Sequence, residues 1–170
     1  GLFFCAAWTA ARAADVAAVV EVAELAAAFR GTSEFALEAS QQGAACLAAL
    51  KKAWPHAILA GVSAAFAERR VAATLAVCLG VACAVHGVPK TVGLPLYLQS
   101  LVANLVTAAV RLIPLGQSEG QLAIASLEDA VSGAALDALA GSLNDLGSAA
   151  FMVDLASAAH ETQYTRLFRS

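Results

Sequence analysis

The chain has 170 residues, of which 60% are hydrophobic, 14% charged and 6% aromatic; 44 are alanines, so its apolarity comes from small side chains. That mixture excludes a disordered chain, and the length fits one compact domain burying about 70% of its unfolded surface. A net charge of -3 with only 10 basic residues, dispersed along the sequence, leaves no footprint for a nucleic-acid backbone, so nucleic acid is not expected as a partner.

Sustained period-two alternation is absent and Ala and Leu dominate, which predicts an all-α fold: a single-domain helical bundle over residues 1–159, followed by a distinct C-terminal segment over 160–170. The sequence opens at Gly1, directly on the first predicted helix, 2–14, with neither a positively charged leader nor a small-residue cleavage pattern, so no signal peptide is read there. A second helix, 16–29, has Asp15 as its cap. A third, 33–53, has Thr32 or Ser33 as cap and Glu34 in its first turn, and Pro55 must stop it because the ring clashes with a preceding carbonyl. Helices at 56–67 and 69–86 follow, and Gly87 with Pro89 separates them from one at 95–112. The turn Pro114-Leu115-Gly116 ends that helix. Ser118 and Gln121 then have the spacing of a capping box at the start of a helix predicted over 119–139, and a last helix is expected at 152–160.

A mean hydropathy of +0.72 raises a rival, a small helical integral membrane protein. Residues 71–89 are apolar only as far as Val85, short of the ~20 residues a spanning helix needs. Residues 91–110 carry no charge, yet Ser100, Asn104, Thr107 and Arg111 recur at steps of 4, 3 and 4 and form one polar stripe, for which a lipid-facing helix has little use. The stripe favours a tightly packed bundle without a membrane span.

Motifs for chemistry are incomplete. Gly87, Lys90 and Thr91 resemble the end of a phosphate-binding loop, but Val88 and Pro89 intervene and Pro89 removes a backbone donor. Cys78, Cys83 and His86 are close in sequence, although on one helix Cys83 falls on the far side from the other two, so three-point metal coordination would be strained. With Cys5 and Cys46 they read as buried thiols in a reducing compartment, there being no CxxC pair. His160-Glu161 begins a zincin-like pair, but Tyr164 stands where the second histidine belongs. No G-x-S-x-G occurs, and His56, His86 and His160 have no local partners that mark a triad. Neither catalytic residues nor a stable metal site is expected, and the chain is not read as an enzyme.

The last eleven residues, HETQYTRLFRS from His160 to Ser170, differ in kind: they contain no alanine and concentrate Tyr164, Arg166, Leu167, Phe168 and Arg169. Tyr and Arg dominate interface energetics, and Leu with Phe supplies apolar anchors, which fits a docking tail. The same position also fits a frayed terminus, and composition does not separate the two.

Three segments carry a likeness. AAVRLIPLGQSEGQ (108–121), DLGS (145–148) and DLASAAHETQYTRLFRS (154–170) resemble the C-terminal half of the urease accessory protein UreF family, and RGTSEFALEASQQGAACLAAL (30–50) is similar to its middle region. The family's further N-terminal stretch, with an LP-V-G-type turn, has no counterpart here, so the sequence resembles a truncated member. The resemblance implies an all-α, dimeric, cytoplasmic chaperone of urease maturation that performs no bond chemistry. It would join the accessory protein UreD/UreH and the GTPase UreG during GTP-dependent nickel insertion into apo-urease. No cofactor is implied, nickel being handled by the complex. Tyr164, Arg166, Leu167, Phe168 and Arg169 would anchor the partner, His160 and Glu161 would organise the tail's first turn, and Arg111 and Gln117 would serve partner contact or tail support. Within the same system, His160, Glu161 or the Cys78/His86 pair could touch nickel transiently.

Overall fold

A computed structural model describes residues 1–164. Among the described residues there are nine α-helices, one short 3-10 turn and no strand, so the chain is all-α and forms a single domain. The first hairpin joins α1 (Leu2–Arg12) to α2 (Val16–Ala28), and the Asp15 carboxylate accepts the Ala18 N–H at 2.9 Å, the cap its sequence position predicts. Helix α3 (Ser33–Ala53) begins on Thr32, whose hydroxyl accepts the Phe35 N–H at 3.3 Å, and ends before Pro55. His56 then caps α4 (Ala57–Arg69), its Nδ1 accepting the Ile58 N–H at 3.2 Å.

The helix predicted over 69–86 is shorter than expected. Helix α4 runs on to Arg69 and closes with Arg70 in the left-handed region (φ 55°), the Val71 N–H returning to the Phe66 carbonyl at 2.9 Å. That closure forces residues 71–74 out of helix, and α5 starts only at Leu75 and ends at Val85. Helix α5 is the axis of the molecule. Ala76, Val77, Cys78, Gly80, Val81, Ala82 and Ala84 are buried on every side of it, as expected of a helix apolar all round. It packs most closely on α1 and also meets α2, α3, α4 and α6. Two glycines allow this approach. A Cβ on Gly80 would lie 2.5 Å from the Phe4 carbonyl oxygen, and one on Gly43 of α3 would overlap the Ala73 backbone. Around α5, Phe3, Val19, Val20, Leu47, Leu59, Val62 and Phe66 complete the main core, each large side chain contributing ~1.5–3 kcal/mol when fully buried.

Helix α6 (Lys90–Leu112) begins five residues before the predicted 95, carrying Pro95 inside it. In the second turn a proline forfeits one bond, to the Thr91 carbonyl, and Pro89 has already set the helix start. Phe4 stacks on Tyr97 of α6 with ring centroids 5.7 Å apart, and a smaller core of Phe4, Cys5, Leu94, Ala135 and Ala138 joins α1, α6 and a later helix. The helix predicted over 119–139 is two: α7 (Gln117–Ser126) and α8 (Glu128–Ala140), broken where the Leu127 N–H bonds the Ile124 carbonyl at 3.2 Å in a tightened last turn. The expected box of Ser118 and Gln121 does not form. Helix α7 starts earlier, on Gly116, and the Glu119 carboxylate accepts the Gly116 N–H at 2.6 Å, a charged acceptor at the positive end of the helix. After the 3-10 turn Leu143–Asp145, α9 (Phe151–Glu161) packs on α3. Among the described residues α6 alone is long and apolar enough to cross a membrane by length and composition; its stripe of Ser100, Asn104, Thr107 and Arg111 is exposed.

Candidate functional site

Helix α9 places two of the residues singled out from sequence. His160 and Glu161 form its last turn, and both meet the first turn of α3. His160 Nδ1 bonds the Glu34 carboxylate at 2.6 Å, and Glu161 Oε1 accepts the Glu34 backbone N–H at 3.3 Å. A third contact joins the Ser157 and Thr32 hydroxyls at 2.7 Å. Ser157, His160 and Glu161 stand at i, i+3 and i+4, one face of a helix. Local chemistry explains why they land here: the first N–H groups of α3 have no partner within the helix, and its positive end favours a carboxylate.

The other face of α9 is apolar and open. Phe151, Met152 and Leu155 are 70%, 77% and 64% exposed, whereas Ser157 is the buried residue of the helix. The ordinary arrangement, apolar face inward, is reversed. Tyr164 follows, fully exposed. Arg166, Leu167, Phe168 and Arg169 lie outside the described residues.

Arg111 and Gln117 are brought together elsewhere. With Val106, Thr107, Val110 and Gln121 they line a groove of about 120 Å³ between α6 and α7, and both are exposed. Helix α9 rests on α3, so the structure divides the singled-out residues into two places, the α3–α9 junction and the α6–α7 groove.

The thiols and remaining histidines have other surroundings. Burial pushes the Cys78 thiol up to about 12, with the neighbouring Cys46 adding to it, and Cys78 Sγ donates to the Gly43 carbonyl at 3.5 Å. Burial also raises Cys5, Cys46 and Cys83, so these groups are protonated thiols at neutral pH rather than activated nucleophiles. His86 does not turn to Cys78: its Nε2 lies 3.2 Å from the Trp54 carbonyl and its ring meets that of His56 edge-on at 5.8 Å. Among the described residues no group of three or more His, Cys, Asp or Glu is arranged to hold a metal ion.

Sequence reasoning missed Thr32, Glu34 and Ser157 as parts of the junction. The available signal was the polar stripe Ser157, His160, Glu161 on a helix whose other side is Phe151, Met152 and Leu155. A polar stripe normally reads as the solvent face.

Comparison with known proteins follows the whole length. The UreF family profile matches residues 1–128, that is α1 to the start of α8. The urease accessory protein UreF of Rhodopseudomonas palustris (strain BisB5) is 46% identical over 170 residues, all of this chain and 69% of that relative. That of Bradyrhizobium diazoefficiens is 44% identical over 168 residues, 99% of this chain and 68% of the relative. That of Azorhizobium caulinodans is 43% identical over 170 residues and 72% of its own length. The C-terminal arm, beyond the profile's match, is therefore within what full-length relatives share.

Proposed function

The chain belongs to the UreF family of urease accessory proteins, and on that premise we propose that it is a scaffold of urease maturation that joins UreD/UreH and the GTPase UreG during GTP-dependent nickel insertion. It performs no bond chemistry itself. Nickel is the cargo of the complex, passed towards apo-urease, and the chain works as a cytoplasmic homodimer that holds its partners in register.

One observation carries this reading: α9 keeps its polar side on the body and its large apolar side chains outward. These are Phe151, Met152 and Leu155, and the sequence that follows supplies Tyr164, Arg166, Leu167, Phe168 and Arg169. Aromatic and arginine side chains beside apolar anchors make the desolvated centre of an interface, where a few residues supply most of the binding energy. UreD/UreH is the partner assigned to this arm. The α6–α7 groove, with Arg111 and Gln117, is a second contact region, assigned to partner contact or support of the tail.

Removing Thr165–Ser170 tests the assignment. Capture of UreD/UreH by the shortened chain should fall by at least about thirtyfold, the loss of one hot-spot side chain. Undiminished capture would sink it.

A further inference from the structure

Helix α9 has little apolar area holding it in place, since Ser157 is its buried residue and its large side chains face out. Among the described residues its hydrogen bonds to the body fall on Thr32 and Glu34, at the start of α3. Thr32 uses one hydroxyl twice, as the acceptor for the Phe35 N–H at 3.3 Å and as the partner of the Ser157 hydroxyl at 2.7 Å. Glu34 uses both of its ends. Its carboxylate takes His160 Nδ1 at 2.6 Å and its backbone N–H is taken by Glu161 Oε1 at 3.3 Å. The Glu34 carboxylate is itself largely covered, with 18% of its side chain exposed, so the contact with His160 is partly shielded from water.

We propose that Glu34, with Thr32 beside it, is a positioning residue: the first turn of α3 latches the polar face of α9 and so sets where, and in which direction, the chain beyond Glu161 leaves the bundle. This rests on the reading of residues 160–170 as the docking segment. Contacts at i, i+3 and i+4 of α9 fix its rotation as well as its place, because a helix turned by one residue would lose all three at once. The latch also finishes α3. Of its first-turn N–H groups, which have no partner within the helix, that of Phe35 bonds the Thr32 cap and that of Glu34 bonds Glu161 of α9. Helix α9 is thereby held on the bundle by a local polar latch that can open without the core, and the partner meets a helix whose rotation and place are already set.

The experiment uses the full chain with two readouts, amide hydrogen exchange along the sequence and affinity for UreD/UreH. In Glu34→Ala, exchange over 151–161 should quicken by at least about tenfold, the size of one lost hydrogen bond to a charged group, while amides of α1 and α5 keep their protection. Affinity should fall with it. Glu34→Gln keeps an acceptor for His160 Nδ1 and should restore both readouts to within about threefold of the parent. A cross-linked Thr32→Cys/Ser157→Cys pair, which freezes the arm on α3, should bind at least as tightly as the parent. Unchanged exchange over 151–161 in Glu34→Ala overturns the latch. Quickened exchange with unchanged affinity, in a chain whose binding is abolished by removing 165–170, overturns the positioning role, as does a cross-linked chain that no longer binds. If removing 165–170 leaves binding intact, the docking assignment falls instead, and the exchange data alone decide the latch.

Discussion

Helices α5 and α9 are both eleven residues long, and they are held by opposite means. Helix α5 is apolar on every side and is locked by close packing, its glycine at 80 letting α1 approach to backbone distance. Helix α9 keeps one polar face on the body and gives its apolar face to solvent. The contrast separates two jobs within one domain. Burial of apolar area is non-directional and stabilises the fold, whereas hydrogen bonds of fixed geometry contribute less but specify an orientation. Helix α9, proposed above as part of a docking arm, is held by the second kind.

The largest effect should come from the packed side of this contrast. Phe4 of α1 is fully buried in the smaller core with α6 and α8 and stacks on Tyr97, so Phe4→Ala should cost about 3–5 kcal/mol of stability in denaturant unfolding. Next, Gly80→Val should cost about 1–3 kcal/mol or more, because its side chain meets the Phe4 carbonyl rather than a movable group. If Gly80→Val were nearly neutral, α5 would not be packed as the axis of the core.

A pH titration sharpens the same side. The Cys78 thiol is raised from 9.0 to about 12 by burial, so the folded state holds this proton more tightly than the unfolded chain. Its contribution is complete below pH 9 and is lost as pH rises from there towards 12, at up to about 1.4 kcal/mol per pH unit. Unfolding of the parent should show this decline, and the Cys78→Ala chain should show less of it. The smallest effect belongs to the arm. Ser157→Ala removes one hydroxyl contact and should weaken local protection of 151–161 by about 1 kcal/mol while the midpoint of global unfolding stays where it was. A matching shift in global unfolding would mean that the arm belongs to the core and that the contrast with α5 is false.

Much of this architecture is legible in the sequence because it is local. Asp15 and Thr32 cap the helices they precede, Pro55 ends α3, and the Pro114–Gly116 turn ends α6, each through contacts within a few residues. What escapes is of two kinds. The break at Leu127 and the late start of α5 have no glycine or proline to announce them, and alanine-rich segments read as helix throughout. The junction of α9 with α3 is the other kind: Glu34 and His160 are 126 residues apart in the chain, and no periodicity links them. The stripe of Ser157, His160 and Glu161 was visible, but a polar stripe does not announce which side meets the body when the helix is turned the other way round.

Hydrogen exchange of the full chain, alone and saturated with UreD/UreH, follows the proposed docking arm itself. Added protection should be concentrated over residues 151–164 and the six that follow, with α5 unchanged. Exchange over that arm that is the same with and without the partner would contradict the docking assignment.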